Sequence, residues 1–213
     1  AGRDVVLTLG AMVQRIAEEA LGGEPGAVVV MDPQSGDVLA MASSPGFDPN
    51  SFVPAIPAAL WSGLNNDPHT PLLNRAAAGG YAPGSTFKPI TALAALESGR
   101  ATAADLHDCP GYFQLGRATF RCWFHPGHQT LNMRQALERS CNVYFFQAGL
   151  AAGPEAIHDM AARLGLGQKT GLELDFEIAG LVPNTAWKRR MYNDGWRDGD
   201  TCNFAIGQGF LVV

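Results

Sequence analysis

The chain is poor in charged residues and has no long apolar run. Only 16% of its 213 residues are charged and the net charge is −5. It has no basic patch and no interleaved aromatic pattern, so nothing predicts nucleic-acid binding. No stretch approaches the ~20 consecutive apolar residues that a membrane-spanning helix needs, and no signal peptide is visible. With 46% hydrophobic residues, the chain is long enough to bury one substantial core.

Tight Cys-x-x-Cys pairs are also missing, which excludes the common zinc-finger patterns. Most of the cysteines and histidines nevertheless fall in one region, which holds His107, Cys109, Cys122, His125, His128 and Cys141. Three cysteines and one histidine make the tetrahedral ligand set that structural zinc prefers. The alternative is a disulfide between Cys109 and Cys122, with Cys141 merely buried. Cys202 stands apart and is predicted to be a core residue, and His69 and His158 are predicted to be surface or core histidines.

The segment from Tyr81 to Thr91 couples a serine to a lysine. Pro83 and Gly84 predict a turn, and the apolar run from Ile90 predicts a helix over 90–98. Ser85 and Lys88 are three residues apart, so they share one face of a helix. A serine hydroxyl needs a nearby base to act as a nucleophile, and a buried lysine can be that base. The alternative is a capping serine beside a solvated lysine.

A second element, Ser140-Cys141-Asn142, supports the interpretation of Ser85 and Lys88 as a reactive pair. Ser-x-x-Lys occurs together with a Ser-x-Asn element in serine β-lactamases and penicillin-binding proteins. Ser140 can relay a proton between Lys88 and a leaving amine, and Asn142 can hold a substrate amide. Taken alone, Ser140 could simply cap the following helix. If the three residues are locally extended, the side chains of Ser140 and Asn142 face one side and that of Cys141 the other.

Matches to one family run nearly from end to end. The chain resembles the transpeptidase domain of class B penicillin-binding proteins, and within them the elongation transpeptidases of the penicillin-binding protein 2 type. The matching segments are Gly2–Leu9, Ala27–Pro33, Gly36–Pro49, Leu73–Ala76, Pro83–Lys88, Ser140–Asn142, Gly171–Leu174, Gly180–Pro183 and Ile206–Gly209. Together they are highly specific, whereas each alone would be weak.

The patterns predict an α+β fold in which helices pack on a mostly antiparallel sheet. A hairpin is predicted over 27–42, returning strands near the C-terminus, and an insertion at about 105–130 within a single transpeptidase domain, 1–213. Residues 43–71 are predicted to form an extended loop with a short helix near 58–64. Further helices are predicted over 7–21, 131–139, 143–152 and 156–164.

The resemblance implies a peptidoglycan D,D-transpeptidase that cross-links stem peptides through a serine acyl-enzyme and is inhibited by β-lactams. It implies Ser85 as nucleophile, Lys88 as base, and Ser140 and Asn142 as their partners. It further implies the periplasmic face of the bacterial inner membrane, with a glycan-polymerising membrane protein and elongation scaffold proteins as partners. A β-lactamase, a β-lactam sensor or a non-catalytic scaffold remain the alternatives.

Lys169-Thr170-Gly171 spells the family's third motif but is predicted not to be that motif. In the family, the catalytic Lys-Thr-Gly follows the Ile-Gly-Gln-Gly segment, whereas here it precedes Ile206–Gly209. The preceding Leu164-Gly-Leu-Gly predicts a helix end and a turn. The true third motif is therefore expected beyond Val213. Without it, residues 1–213 by themselves are not expected to form a complete active site.

The resemblance also assigns four metal ligands. Mapped residue by residue, they are Cys109, Cys122, His128 and Cys141, with cysteines standing where relatives can have aspartates. The substitution keeps anionic ligands and favours zinc. His125 is the rival for the histidine position.

Overall fold

A computed structural model describes residues 4–174 and 176–213, so Gly2 and Arg3 of the first matching segment lie outside the described residues. The described chain contains eight α-helices and six short strands, and the strands pair as three two-stranded antiparallel sheets. It divides into two compact units, one formed by the described part of residues 1–79 and 173–178 and the other by the rest. No described helix is long and apolar enough to cross a membrane.

The first unit is built on a hairpin, as predicted. Strand β1 (Gly26–Met31) pairs antiparallel with β2 (Val38–Ser44). Helix α1 (Ala11–Leu21) packs on this hairpin, and α2 (Ala58–Asn66) follows a short 3-10 turn. The prediction that α1 begins at residue 7 was wrong, because Thr8 and Gly10 instead hydrogen-bond to the backbone of β2.

The core of the second unit is helix α5 (Asn142–Ala152), which is apolar on all sides and therefore buried. Helices α3 (Lys88–Glu97) and α8 (Asp198–Ala205) pack against it. A Cβ atom at Gly149 would lie 2.4 Å from the Cβ of Ala205, so only glycine allows this approach of α5 to α8.

The predicted insertion forms two antiparallel pairs. Strand β3 (His107–Cys109) pairs with β6 (Gln129–Leu131), and between them β4 (Tyr112–Leu115) pairs with β5 (Ala118–Arg121). The helix predicted over 131–139 is shorter, because Leu131 belongs to β6. Helix α4 (Met133–Glu138) begins after Asn132, whose side chain forms a capping box with Gln135.

The strands predicted near the C-terminus were wrong. After α6 (Pro154–Arg163), the described part of this region holds α7 (Thr185–Tyr192) and α8 but no strand. Its strand-like pairing consists of an isolated bridge between Leu181 and Val212 and of reciprocal backbone hydrogen bonds between Val213 and Tyr81. Asn184 starts α7 by accepting a hydrogen bond from a backbone N–H. The α+β class is confirmed, but the described antiparallel sheets are small.

Candidate active site

The predicted nucleophile lies on a single tight turn. Residues Gly84–Phe87 form a 3-10 helix, and the backbone N–H of Lys88 donates to the carbonyl of Ser85. Residues three apart eclipse each other in such a turn, which puts both side chains on one side. Ser85 is exposed, whereas the Lys88 side chain is buried, with 1% of its surface accessible.

This turn is anchored by the segment that matches the family near residue 206. The N–H of Gly84 donates to the carbonyl of Gly207 at 2.9 Å. Gly207 has φ +75°, and a Cβ there would lie 2.0 Å from the Gly84 oxygen. Thr91, one turn into α3, donates its hydroxyl to the carbonyl of Ala205 at 2.8 Å. The backbone of residues 205–207 therefore positions the turn that carries Ser85.

The Lys88 amine joins the two sequence elements. Its Nζ donates to the carbonyl oxygen of Ser140 at 2.7 Å, to the Ser140 Oγ at 2.9 Å and to the Asn142 Oδ1 at 2.7 Å. Three acceptors match the three N–H donors of an ammonium group. Among the described residues, none of these bonds involves Ser85. Ser85 is held near the Lys88 amine by the tight turn that joins the two residues.

Burial makes Lys88 a candidate base. It lowers the pKa of Lys88 from its ordinary 10.5 to about 8, because desolvation disfavours the ammonium, while the thiols of Cys122 and Cys141 oppose the change. The ring of Phe145 lies 5.8 Å from Nζ. A substantial fraction of the amine is therefore neutral slightly above neutral pH.

The segment Ser140–Asn142 separates its side chains as predicted, but by a different backbone. The extended conformation was wrong: Ser140 has φ +50° and Asn142 is the first residue of α5. Ser140 and Asn142 still face Lys88, and Cys141 faces away into the protein. Cys141, not Ser140, caps α5, since its Sγ accepts from the backbone N–H of Tyr144 at 3.5 Å.

The four predicted metal ligands lie together. One ligand atom each from Cys109, Cys122, His128 and Cys141 falls within 4.8 Å of the others, and all four residues are buried. The His128 Nδ1 lies 3.7 Å from the Cys109 Sγ and 3.5 Å from the Cys122 Sγ. His125 is exposed and outside this cluster.

The remaining cysteine and the histidines agree with the sequence analysis. Cys202 is completely buried in the core, as predicted. His69 is exposed and His158 is half-buried. All four cysteines are free thiols in this structure.

The electrostatics of the cluster differ from ligand to ligand. Burial raises the pKa of the Cys141 thiol to about 12. At Cys122 the same burial penalty is outweighed by backbone N–H groups, including those of Asn142 and Val143 at the start of α5, so its pKa is lowered. Burial lowers the pKa of His128, which keeps the ring neutral and able to ligate a metal.

Sequence reasoning missed two residues that lie beside the segment Ser140–Asn142. The Asn142 Nδ2 donates to the carbonyl of Arg121 at 3.4 Å, and the Trp123 Nε1 donates to the carbonyl of Arg139 at 3.1 Å. The only signal in the sequence was that both residues adjoin Cys122. The acceptors in the two hydrogen bonds are the backbone carbonyls of Arg121 and Arg139, and a backbone carbonyl leaves no trace in the residue type.

Lys169 and Gly171 are exposed and lie outside any helix or strand. They follow α6, whose end at Leu164 carries the predicted turn. A position off the strands agrees with the expectation that Lys169-Thr170-Gly171 is not the family's third motif.

Comparison with known families settles where the chain belongs. The profile of the penicillin binding protein transpeptidase domain matches residues 26–213. The chain belongs to this transpeptidase family. It is 40% identical over 215 residues to the peptidoglycan D,D-transpeptidase MrdA of Escherichia coli K12, covering the whole chain and 34% of that protein. The MrdA of Acinetobacter baumannii is also 40% identical, with 32% of it covered. The chain thus spans about a third of these relatives.

Solved structures of family members share the fold. Pseudomonas aeruginosa PBP2 in complex with WCK 5153 has a TM-score of 0.94 and 38% identity, over the whole chain and 47% of that structure. PBP2 of Helicobacter pylori, in complex with MreC, has a TM-score of 0.93 and 36% identity, over 96% of this chain and 39% of that one. A penicillin G acyl-enzyme complex of Mycobacterium tuberculosis penicillin-binding protein A has a TM-score of 0.83 and 29% identity, over 97% of this chain and 48% of that one.

Proposed function

We propose that the protein carrying this chain is a peptidoglycan D,D-transpeptidase that uses Ser85 to form an acyl-enzyme. The observation that carries the proposal is the buried Lys88 amine, held by Ser140 and Asn142 one tight turn after the exposed Ser85. The names of the most similar relatives agree with this activity. The substrates are stem peptides that end in D-Ala-D-Ala.

The first step transfers one proton. The neutral Lys88 amine takes the hydroxyl proton of Ser85 while Oγ forms a bond to the penultimate D-Ala carbonyl carbon. Negative charge develops on the carbonyl oxygen. The backbone N–H of Ser85 lies in the first turn of its 3-10 helix, where N–H groups lack helical acceptors, and it supplies one oxyanion donor.

Of the three acceptors around the Lys88 amine, the Ser140 hydroxyl is the one that can also pass a proton on. The carbonyl of Ser140 and the Asn142 Oδ1 are acceptors only, whereas a hydroxyl both donates and accepts. Ser140 can therefore receive a proton from the Lys88 ammonium and pass its own to the nitrogen of the departing D-Ala as the C–N bond breaks. An amino group of a neighbouring stem peptide then attacks the ester, which gives a 4→3 cross-link and frees Ser85.

β-Lactams would acylate the same serine, which provides the test. In the protein from the complete reading frame, a fluorescent penicillin should label the wild type, and a Ser85→Ala variant should show no covalent label. Ser98→Ala, a serine at the other end of α3, is the matched control and should label normally. Labelling of Ser85→Ala would contradict the proposal. An acyl-enzyme lifetime of seconds or less would indicate a β-lactamase, and a wild type that never labels would indicate a scaffold.

We further infer the cellular setting from the family. Peptidoglycan lies outside the cytoplasm, so the site works at the periplasmic face of the inner membrane. One related structure is a complex of PBP2 with MreC, and another, 40% identical, concerns a peptidoglycan synthase complex that coordinates polymerisation and cross-linking. A glycan-polymerising membrane protein and an elongation scaffold protein are the partners we propose for this protein.

We also propose that Cys109, Cys122, His128 and Cys141 hold a structural zinc ion. For tetrahedral zinc with S and N ligands, neighbouring ligand atoms lie ~3.6 Å apart. The 3.5 and 3.7 Å separations between the His128 Nδ1 and two of the sulfurs fit this value. When bound, zinc would contribute folding free energy and tie the insertion to α5. Catalysis would remain with Ser85, Lys88 and Ser140.

Metal and thiol analysis of the purified protein separates zinc from a disulfide. About one zinc per chain supports the zinc site. No bound metal, together with the loss of free thiols at Cys109 and Cys122, would show the disulfide instead.

A further inference from the structure

Arg121, the last residue of β5, and the two residues after it lie against Ser140–Asn142, the proposed catalytic segment, and the residue before it. The carbonyl of Arg121 accepts a hydrogen bond from the Asn142 side chain. Cys122 lies in the cysteine–histidine cluster with Cys141. The indole of Trp123 donates to the carbonyl of Arg139, directly before Ser140, at 3.1 Å. The strand end therefore holds both sides of Ser140.

The position held by Trp123 is one that needs support. Arg139 is the C-cap of α4, and the last carbonyls of a helix have no acceptor role within it. Ser140 then adopts φ +50°, a conformation that costs energy for a residue with a Cβ and persists where neighbouring contacts enforce it. A donor to the Arg139 carbonyl restrains the peptide unit that enters this strained residue.

Burial does not explain a tryptophan at this position. The Trp123 side chain is 59% exposed, so the ring hides little apolar surface from water. Its ring lies beside those of Phe124 and His128, tilted by 51° and 59°, with 5.7 and 5.4 Å between ring centres. A phenylalanine could make these contacts as well. The function specific to tryptophan here is the N–H that reaches Arg139.

We propose that Trp123 is a positioning residue for Ser140. It restrains the entry to the catalytic segment so that the Ser140 hydroxyl stays within 2.9 Å of the Lys88 amine. This inference rests on the proposed function, in which Ser140 relays protons to and from Lys88. Loss of the indole N–H should therefore slow acylation without weakening the initial binding of a β-lactam.

The test compares Trp123→Phe with Trp196→Phe in the protein from the complete reading frame. The substitution keeps an aromatic ring and removes one N–H donor in both cases, since the Trp196 Nε1 also donates a hydrogen bond, to Thr201 Oγ1 at 2.8 Å. Stopped-flow acylation by a penicillin separates the acylation rate constant from the non-covalent dissociation constant. Hydrogen exchange followed by mass spectrometry reports the mobility of residues 137–144 independently of activity.

For Trp123→Phe we expect acylation roughly fivefold slower, as loss of one hydrogen bond predicts, with an unchanged dissociation constant and faster exchange in 137–144. Trp196→Phe should change neither. Suppose that the wild type acylates at Ser85. Equal effects of both variants, or a Trp123→Phe variant that acylates as fast as the wild type, would then overturn the proposal and leave the proposed function standing. If the wild type does not acylate, the proposed function fails. Exchange in Trp123→Phe then decides alone, with faster exchange supporting the restraint and unchanged exchange overturning it.

Discussion

Two buried lysines lie in the second unit, and their surroundings differ in one respect. The Lys88 and Lys188 side chains are almost fully covered, and each Nζ lies near a phenylalanine ring, at 5.8 Å from Phe145 and 5.7 Å from Phe210. Lys188 is paired with carboxylates, at 2.6 Å from Asp200 and 3.6 Å from Asp194. Among the described residues, no carboxylate forms an ion pair with Lys88, whose acceptors are neutral oxygens.

The difference shows that burial is not sufficient to make a lysine a base. Two carboxylates beside a buried amine form ion pairs with it and give it a structural role. Neutral acceptors orient the Lys88 amine without supplying the opposite charge, so desolvation lowers its pKa to about 8. Changing the partner of either lysine, or the pH around it, tests this comparison.

The largest effect is expected from removing the amines. Lys88→Ala should slow acylation by roughly 10³-fold, because the hydroxyl of Ser85 loses its base. Lys188→Ala should leave acylation nearly unchanged but lower the free energy of unfolding by about 3 kcal/mol, because Asp200 is left half-buried and unpaired. Penicillin labelling kinetics and denaturant unfolding measure the two effects. A stability loss without an acylation defect in Lys88→Ala would contradict its role as base.

Removal of the proposed zinc should affect stability more than chemistry. Chelation of the metal, or Cys141→Ser, should lower the melting temperature by about 10 °C or more, since a structural metal contributes folding free energy. Cys202→Ser removes an equally buried thiol outside the cluster and is the matched control. Metal content should fall only in Cys141→Ser. Equal metal content in both variants would argue against this ligand set.

Asn142→Asp would give Lys88 the carboxylate that Lys188 already has. A carboxylate at 2.7 Å should raise the pKa of Lys88 from about 8 to about 9–10, so acylation at pH 7 should slow by about 10- to 100-fold and recover as the pH rises. Asn65→Asp, in the exposed helix α2, should change neither rate nor profile. A rate that stays low at every pH would show that Asn142 does more than set the charge of Lys88.

The smallest predicted change is in the wild-type pH profile. Only the neutral amine accepts a proton, so the acylation rate should rise with pH, tenfold per unit below the pKa, and level off above about 8. Rates measured between pH 6 and 9.5 test this. A rate that still climbs tenfold per unit at pH 9.5 would place the inflection near the ordinary lysine value and contradict a lowered pKa.

Local patterns predicted the elements that short-range rules govern. The i, i+3 spacing placed Ser85 and Lys88 on one turn, and the turn residues 32–36 between two short runs predicted the hairpin. The same rules failed for Ser140, whose φ of +50° departs from the extended backbone that they predicted. They also failed to predict helices α7 and α8 between residues 184 and 205, because the many polar residues in this stretch do not produce an apolar period.

Residue types and spacing thus predicted a serine beside a lysine and a second element with Ser140 and Asn142, and the family resemblance assigned four candidate metal ligands. Only the folded chain brings Lys88 to Ser140, 52 residues further along the sequence, and only there does one lysine meet neutral oxygens and the other carboxylates. The reason is that a pKa depends on desolvation and on nearby charge. Both are supplied by segments far apart in the sequence.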